Sequence, residues 1–240
     1  MKYYIPAILV FAMIILAGCQ GAASNTGTAS KTPFLGGTKG LTLEFIEGEP
    51  PLEVTDQGVF PFQAIVTMKN EGEYELRRDN VRVNLIGILP EDFGANPADL
   101  QDRIPTDDLV PRQRDSEGNI REPVLTEVVF PDTGDSFNFH KSVTGNTVFI
   151  FRADVCYKYQ TMALSQICVL RDLINSNKKG VCNPSEAKTT HSSGSPIQVS
   201  GFRQTVTGKD RISFSFDITH SGKGDVFMEG DATTPPAHCP

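Results

Sequence analysis

The chain has 240 residues and a formal net charge of −7; 39% of the residues are hydrophobic and 21% charged. This balance is typical of a globular protein with room for one large or two small domains, and it excludes a disordered acidic tail and a collagen-like chain. Twenty-one Gly and sixteen Pro without any Trp disfavour a helical bundle, so we expect an all-β chain with many turns.

The N-terminal segment has the pattern of an export signal. Lys2 precedes an apolar stretch over residues 5–16, which is too short for a membrane-spanning helix. Leu16-Ala17-Gly18-Cys19 follows and resembles the lipobox of secreted prokaryotic lipoproteins. The resemblance implies a signal peptide over 1–18, cleavage before Cys19, and an acyl anchor (a palmitate-type lipid) on its sulfur. An ordinary secretory peptide or an uncleaved anchor is the alternative, and either would also place the rest of the chain outside the cytoplasm.

Residues 19–40 are rich in Gly, Ser, Thr and Ala, a composition typical of a flexible spacer. We expect a lipidated Cys19 followed by a linker whose only docking points are Phe34 and Leu35.

From Leu41 onward the hydrophobic period is two, which predicts half-buried strands. The clearest alternation runs through 62–69 and 81–86. Further strands are predicted at 41–47, 124–130, 137–139, 147–153, 155–161, 164–170, 197–206, 211–219 and 225–228. Strands at these spacings favour an antiparallel β-sandwich over residues 41–170.

The stretch 90–123 interrupts this pattern with six Asp and several Pro. Its low apolar content predicts a long acidic loop that forms no strand, either solvated or functional. Calcium is one alternative because hard cations take oxygen ligands, but the residues lack the spacing of a known calcium loop. We expect no metal or cofactor.

The cysteine count agrees with export. Five cysteines are present, and lipid on Cys19 leaves an even set for two disulfides in three connectivities: Cys156, Cys168, Cys182 and Cys239. Of these connectivities the local pair Cys168 with Cys182 is favoured. A zinc site is disfavoured since no CxxC pair occurs.

Charge is unevenly distributed along the chain. Residues 41–155 hold ten Lys and Arg against twenty-two Asp and Glu, whereas residues 156–240 hold nine against seven. Nucleic acids and anionic lipid surfaces both require clustered basic side chains, so neither is expected as a partner.

A weak internal repeat relates 62–72 to 212–222, each an alternating strand that runs into a polar turn ending in Gly. The first turn is Asn70-Glu71-Gly72, and His220 takes the place of the Asn in the second. This design resembles immunoglobulin-like adhesion modules of bacterial and archaeal surfaces, especially the cell-adhesion-related domains of archaea. The resemblance implies an Ig-like antiparallel sandwich over 41–170, a cysteine-containing linker over 171–195, and a partial second Ig-like module over 196–240.

Two short motifs are similar to catalytic ones. Asp132-Thr133-Gly134 is similar to the turn of aspartic proteases, which need a second carboxylate. Ser136, with Asp217 and His220, is similar to the triad of GDS-type esterases, but residues three apart on one strand point to opposite faces. An exported hydrolase using Asp132 or Ser136 is therefore the alternative function.

Tyr157 and Tyr159 form an aromatic row on a predicted strand. Such a row could stack on a sugar, although cross-strand packing is the more ordinary role. We expect a non-catalytic, lipid-anchored binding or structural protein of the cell surface, with the membrane as one partner and an envelope protein or glycan as another. Strand-edge pairing is the expected contact, because an incomplete sandwich leaves unpaired backbone groups.

Overall fold

A computed structural model describes residues 32–132, 134–170 and 182–227. The described residues belong to one compact unit, and the boundaries expected within it at 170 and 196 stay predictions. The strands are β1 Leu41–Phe45, β2 Ala64–Asn70, β3 Val81–Ile86, β4 Gln113–Arg114, β5 Ile120–Arg121, β6 Thr126–Phe130, β7 Arg152–Tyr157, β8 Ala163–Ser165, β9 Thr190–Ser192, β10 Ile197–Val206 and β11 Ile212–His220.

The fold is all-β and of the sandwich type, as the hydrophobic period predicted. The antiparallel sheet β1-β2-β6 and the antiparallel pair β3-β7 share one hydrophobic core. The alternation of buried and half-buried residues along β2 and β3 confirms the predicted inward faces. These inward side chains are Ala64, Val66, Met68, Val81, Val83 and Leu85.

The acidic loop differs from its prediction, because it supplies part of the core. Two 3-10 turns, Pro90–Phe93 and Pro97–Leu100, direct Phe93 and Leu100 inward, where both are buried. The hairpin β4-β5 also lies in this loop, so the expectation that 90–123 forms no strand is wrong. Widely spaced apolar residues show no period, yet each can point inward once a turn orients it.

Two carboxylates of this loop, those of Asp99 and Asp115, cap its own turns. The Asp99 carboxylate accepts the Asn96 backbone N–H at 2.8 Å in a capping box. The Asp115 carboxylate accepts the backbone N–H of Glu117 and of Asn119, and these bonds lower its pKa. Local capping therefore accounts for these two of the six aspartates.

Several predicted strands are shorter than expected. The predictions over 147–153 and 155–161 are replaced by the single strand β7, because its partner β3 offers only six residues for the ladder. Residues 137–139 form only one bridge, Phe62 with Phe137, and 164–170 shortens to β8. Residues 225–227 are not a strand. The strand β9 was not expected, since it lies in the predicted linker 171–195.

Candidate interaction surface

The strands β10 and β11 form a long antiparallel ribbon, at the positions predicted for the second module. The pairing runs from Ile197 with His220 to Val206 with Ile212 and contains a bulge between Ser200 and Arg203. Gly201 in the bulge has φ +63°, and a Cβ there would overlap the Asp217 carboxylate. Glycine is therefore required at this bend.

The ribbon has one polar and one apolar face. Cross-strand pairs such as Ser200 with Asp217 share the polar face, and Val199 with Ile218 share the apolar face. The rings of Phe202 and Phe214 stack there with centroids 5.8 Å apart. An amphipathic ribbon of this kind normally packs its apolar face against other protein.

The β10 half of the apolar face is covered. Gln204 is 7% exposed; its amide accepts the Cys168 backbone N–H at 2.8 Å and donates to the Cys168 carbonyl at 2.7 Å. Cys168, whose backbone supplies this cover, is joined to Cys182 by a disulfide.

The β11 half of the same face is uncovered. Phe214, Phe216 and Ile218 are 62%, 46% and 65% exposed. Within the described ranges β11 pairs only with β10, which leaves its outer edge open. The sequence analysis did not predict this exposed apolar strip on β11. The pattern ISFSFDI, in which apolar residues alternate with short polar ones, does indicate an apolar face on the strand.

Tyr157 and Tyr159 join the sandwich to other segments of the chain. The Tyr159 hydroxyl donates to the Gly194 carbonyl at 3.1 Å and accepts the Tyr74 backbone N–H at 3.3 Å. The Tyr157 hydroxyl accepts the Leu41 backbone N–H at 3.3 Å. Both hydroxyls are thus used inside the protein, and a sugar-binding role for these rings stays a prediction.

Part of the predicted linker lies against the same region. The Glu73 carboxylate accepts the backbone N–H groups of Leu35 at 2.7 Å, Gly36 at 2.9 Å and Gly194 at 2.5 Å. This carboxylate therefore holds residues 35–36 beside residue 194, next to the start of β10. No short sequence motif marks such a contact, because its three donors are backbone groups from two distant segments.

Burial raises the pKa of Tyr159 to about 12 by disfavouring the phenolate. Because its ordinary value of 10 applies in the unfolded chain, the unfolded state loses the proton first. The stabilisation by the neutral phenol is complete below about pH 10 and falls as the pH rises toward 12.

We expect Tyr159→Phe to lower the free energy of unfolding by about 1–2 kcal/mol at neutral pH, since the Tyr74 N–H loses its acceptor. The loss of stability between pH 10 and 12 should also be smaller in the variant. Urea unfolding at neutral and alkaline pH measures both effects. An unchanged alkaline profile would show that Tyr159 does not titrate as a buried phenol.

The cysteines follow the prediction where the structure describes them. The favoured pair Cys168–Cys182 is confirmed, with Cα atoms 5.7 Å apart. Cys156 is disulfide-bonded as well. Cys19, Cys239 and the signal peptide 1–18 lie outside the described residues.

Residues of the two motifs that are similar to catalytic ones contact other parts of the protein. The Asp132 carboxylate forms an ion pair with the Arg103 guanidinium, and the Gln63 side chain donates to the Asp135 carbonyl at 2.7 Å. Ser136 is half-buried beside this turn, and Thr133 lies outside the described residues. On β11, Asp217 faces Ser200 and His220 faces Ile197, positions that belong to opposite faces of the ribbon.

Two further observations concern only the part of the chain that the structure describes. It contains no cluster of three His, Cys, Asp or Glu side chains arranged to hold a metal ion. It also contains no helix of the length and apolarity needed to cross a bilayer.

Fold and surface together define an antiparallel all-β protein with an uncovered apolar strand. Comparison with protein-family models, with curated proteins and with solved structures gave no match. The adhesion-module and lipobox resemblances therefore stay predictions.

Proposed function

We propose that the protein is a lipid-anchored, extracytoplasmic binding or structural protein of the cell envelope and that its contacts, not catalysis, are its function. The observation that carries the proposal is the uncovered apolar strip on the open edge of β11. Exposed apolar surface on a strand edge is typical of a site that receives another chain.

The cysteines support a location outside the cytoplasm. Disulfides at Cys156 and Cys168–Cys182 suit an oxidising compartment. With Cys168 and Cys182 paired, only Cys19 and Cys239 are left as partners for Cys156. Pairing with Cys239 leaves Cys19 available for lipid, as the lipobox resemblance implies. Acyl chains there would anchor the protein firmly, because each buried methylene contributes about 0.8 kcal/mol.

Peptide mass spectrometry under non-reducing conditions, on protein from host membranes, tests this proposal. We expect an N-terminal peptide that begins at a lipid-modified Cys19, and a disulfide that joins Cys156 to Cys239. Cys19→Ala should leave the leader uncleaved and abolish lipid attachment, whereas Ser24→Ala in the linker should change neither. An unmodified Met1 in the native protein, or a disulfide between Cys19 and Cys156, would refute the lipid anchor.

A further inference from the structure

We propose that the partner of β11 is a second copy of this chain, so that two β11 strands pair antiparallel around Phe216. The two ribbons would then form one four-stranded sheet in the order β10-β11-β11-β10. This inference rests on the proposed binding function and names its partner.

The edge of β11 lacks most of the features that protect strand edges from pairing, and Asp217 is its one acidic residue. Natural edges are usually protected by proline, lysine, bulges or short length. β11 is nine residues long and contains no proline, lysine or glycine. The bulge of the ribbon lies on β10, the covered strand. A two-stranded ribbon is also marginal by itself in water, and further strands stabilise it.

The sequence of β11 is complementary to itself. Phe216 is the middle residue of Ile212–His220, so pairing around it lets all nine residues of each strand take part. On the apolar face Phe216 would meet its own copy, and Phe214 would meet Ile218. Directly opposed apolar and aromatic pairs of this kind contribute to sheet stability.

Charge selects this register over its neighbour. Pairing around Phe216 places Asp217 opposite Ser215, whose hydroxyl can donate to the carboxylate. Pairing around Asp217 would place two carboxylates directly opposite each other, which is unfavourable. Pairing around Ser215 keeps the charges apart but shortens the overlap to seven residues. The register around Phe216 alone combines full length with no opposed like charges.

The exposed apolar side chains of β11 lie at the centre of this register. Cover on β10 comes from the chain around Cys168, which meets Gln204. The exposed side chains Phe214, Phe216 and Ile218 are those that would flank the two-fold axis. Lateral contact with the second copy would cover ring edges that a monomer leaves in water.

Cysteine cross-linking of the purified full-length protein tests the register. Directly opposed residues have Cα atoms about 4.5–5.5 Å apart, within the range that a disulfide spans. We expect Phe216→Cys to give a covalent dimer under mild oxidation. Phe214→Cys alone should not, because its copy would lie four residues away, about 13 Å. A mixture of Phe214→Cys and Ile218→Cys should cross-link to each other.

Sedimentation of variants without added cysteine provides a second measurement. The wild type should sediment as a dimer, and Phe216→Lys should shift it to the monomer because two lysines would oppose each other. Thr205→Lys is the matched control, since Thr205 is exposed on the polar face of β10. A monomeric wild type, or cross-linking of Phe214→Cys to itself as readily as Phe216→Cys, would overturn the proposal. A monomer with a lipid-modified Cys19 refutes only the dimer, and a dimer with an unmodified Met1 refutes only the anchor.

Discussion

Replacing Phe93 with alanine is expected to lower the free energy of unfolding by about 3–5 kcal/mol, the range for deleting a fully buried aromatic side chain. Phe93 is 1% exposed and occupies the centre of an aromatic cluster. Its ring contacts five others at centroid distances of 5.0 to 6.1 Å: Phe62, Phe137, Phe139, Phe149 and Phe151. The loss combines the cavity with these aromatic contacts, four of which are edge-to-face.

Phe60→Ala is the matched control for Phe93, because Phe60 is the same residue type but 58% exposed. We expect it to change the stability by no more than about 0.5 kcal/mol. Urea unfolding followed by tyrosine fluorescence compares the two variants with the wild type. Equal effects would show that the loop 90–123 does not contribute to the core in solution.

Replacing Asn70 with alanine is expected to cost about 2–3 kcal/mol, because several buried backbone groups would lose a partner. The Asn70 amide donates to the Tyr74 carbonyl at 2.7 Å and the Leu109 carbonyl at 3.0 Å, and accepts the Gly72 N–H at 3.2 Å. Asn70 is fully buried. One side chain therefore closes the turn after β2 and ties it to the loop at Leu109.

Two further variants make the Asn70 prediction specific. Asn70→Asp keeps the acceptor for the Gly72 N–H but turns an oxygen toward two carbonyls, so it should be no more stable than Asn70→Ala at neutral pH. His220→Ala, at the matching position of the repeat, should change stability by no more than about 0.5 kcal/mol because His220 is exposed. A comparable loss at both positions would mean that the two turns are equivalent.

The acidic loop shows why the local sequence pattern could not predict every core residue. Its aspartates and prolines predicted an excursion from the sheet, whereas Phe93, Leu100 and Leu109 are core residues. Their inward direction depends on 3-10 turns and on single bridges to distant segments, such as Leu76 with Leu109. Contacts between residues far apart in sequence leave no period in either segment.

The internal repeat shows the same limit of local pattern at its turn residue, Asn70 in one copy and His220 in the other. The shared strand and turn pattern was visible in the sequence, but the two copies differ in environment. Asn70 is buried against the loop at Leu109, whereas His220 ends an exposed strand. Whether the turn residue is buried and hydrogen-bonded depends on which distant segment packs against the turn.

The sequence by itself determined the all-β class, the inward faces of β2 and β3 and the extent of β10, because period-two burial is a local property. It favoured the Cys168–Cys182 pair among three connectivities, and the structure confirmed that pair. Only the tertiary structure decided which half of the β10-β11 ribbon is covered. Gln204 meets the backbone of Cys168, 36 residues away, while nothing among the described residues covers Phe216 to the same degree. Alternation shows that a strand has an apolar face, but the cover on that face comes from distant segments whose position only packing establishes.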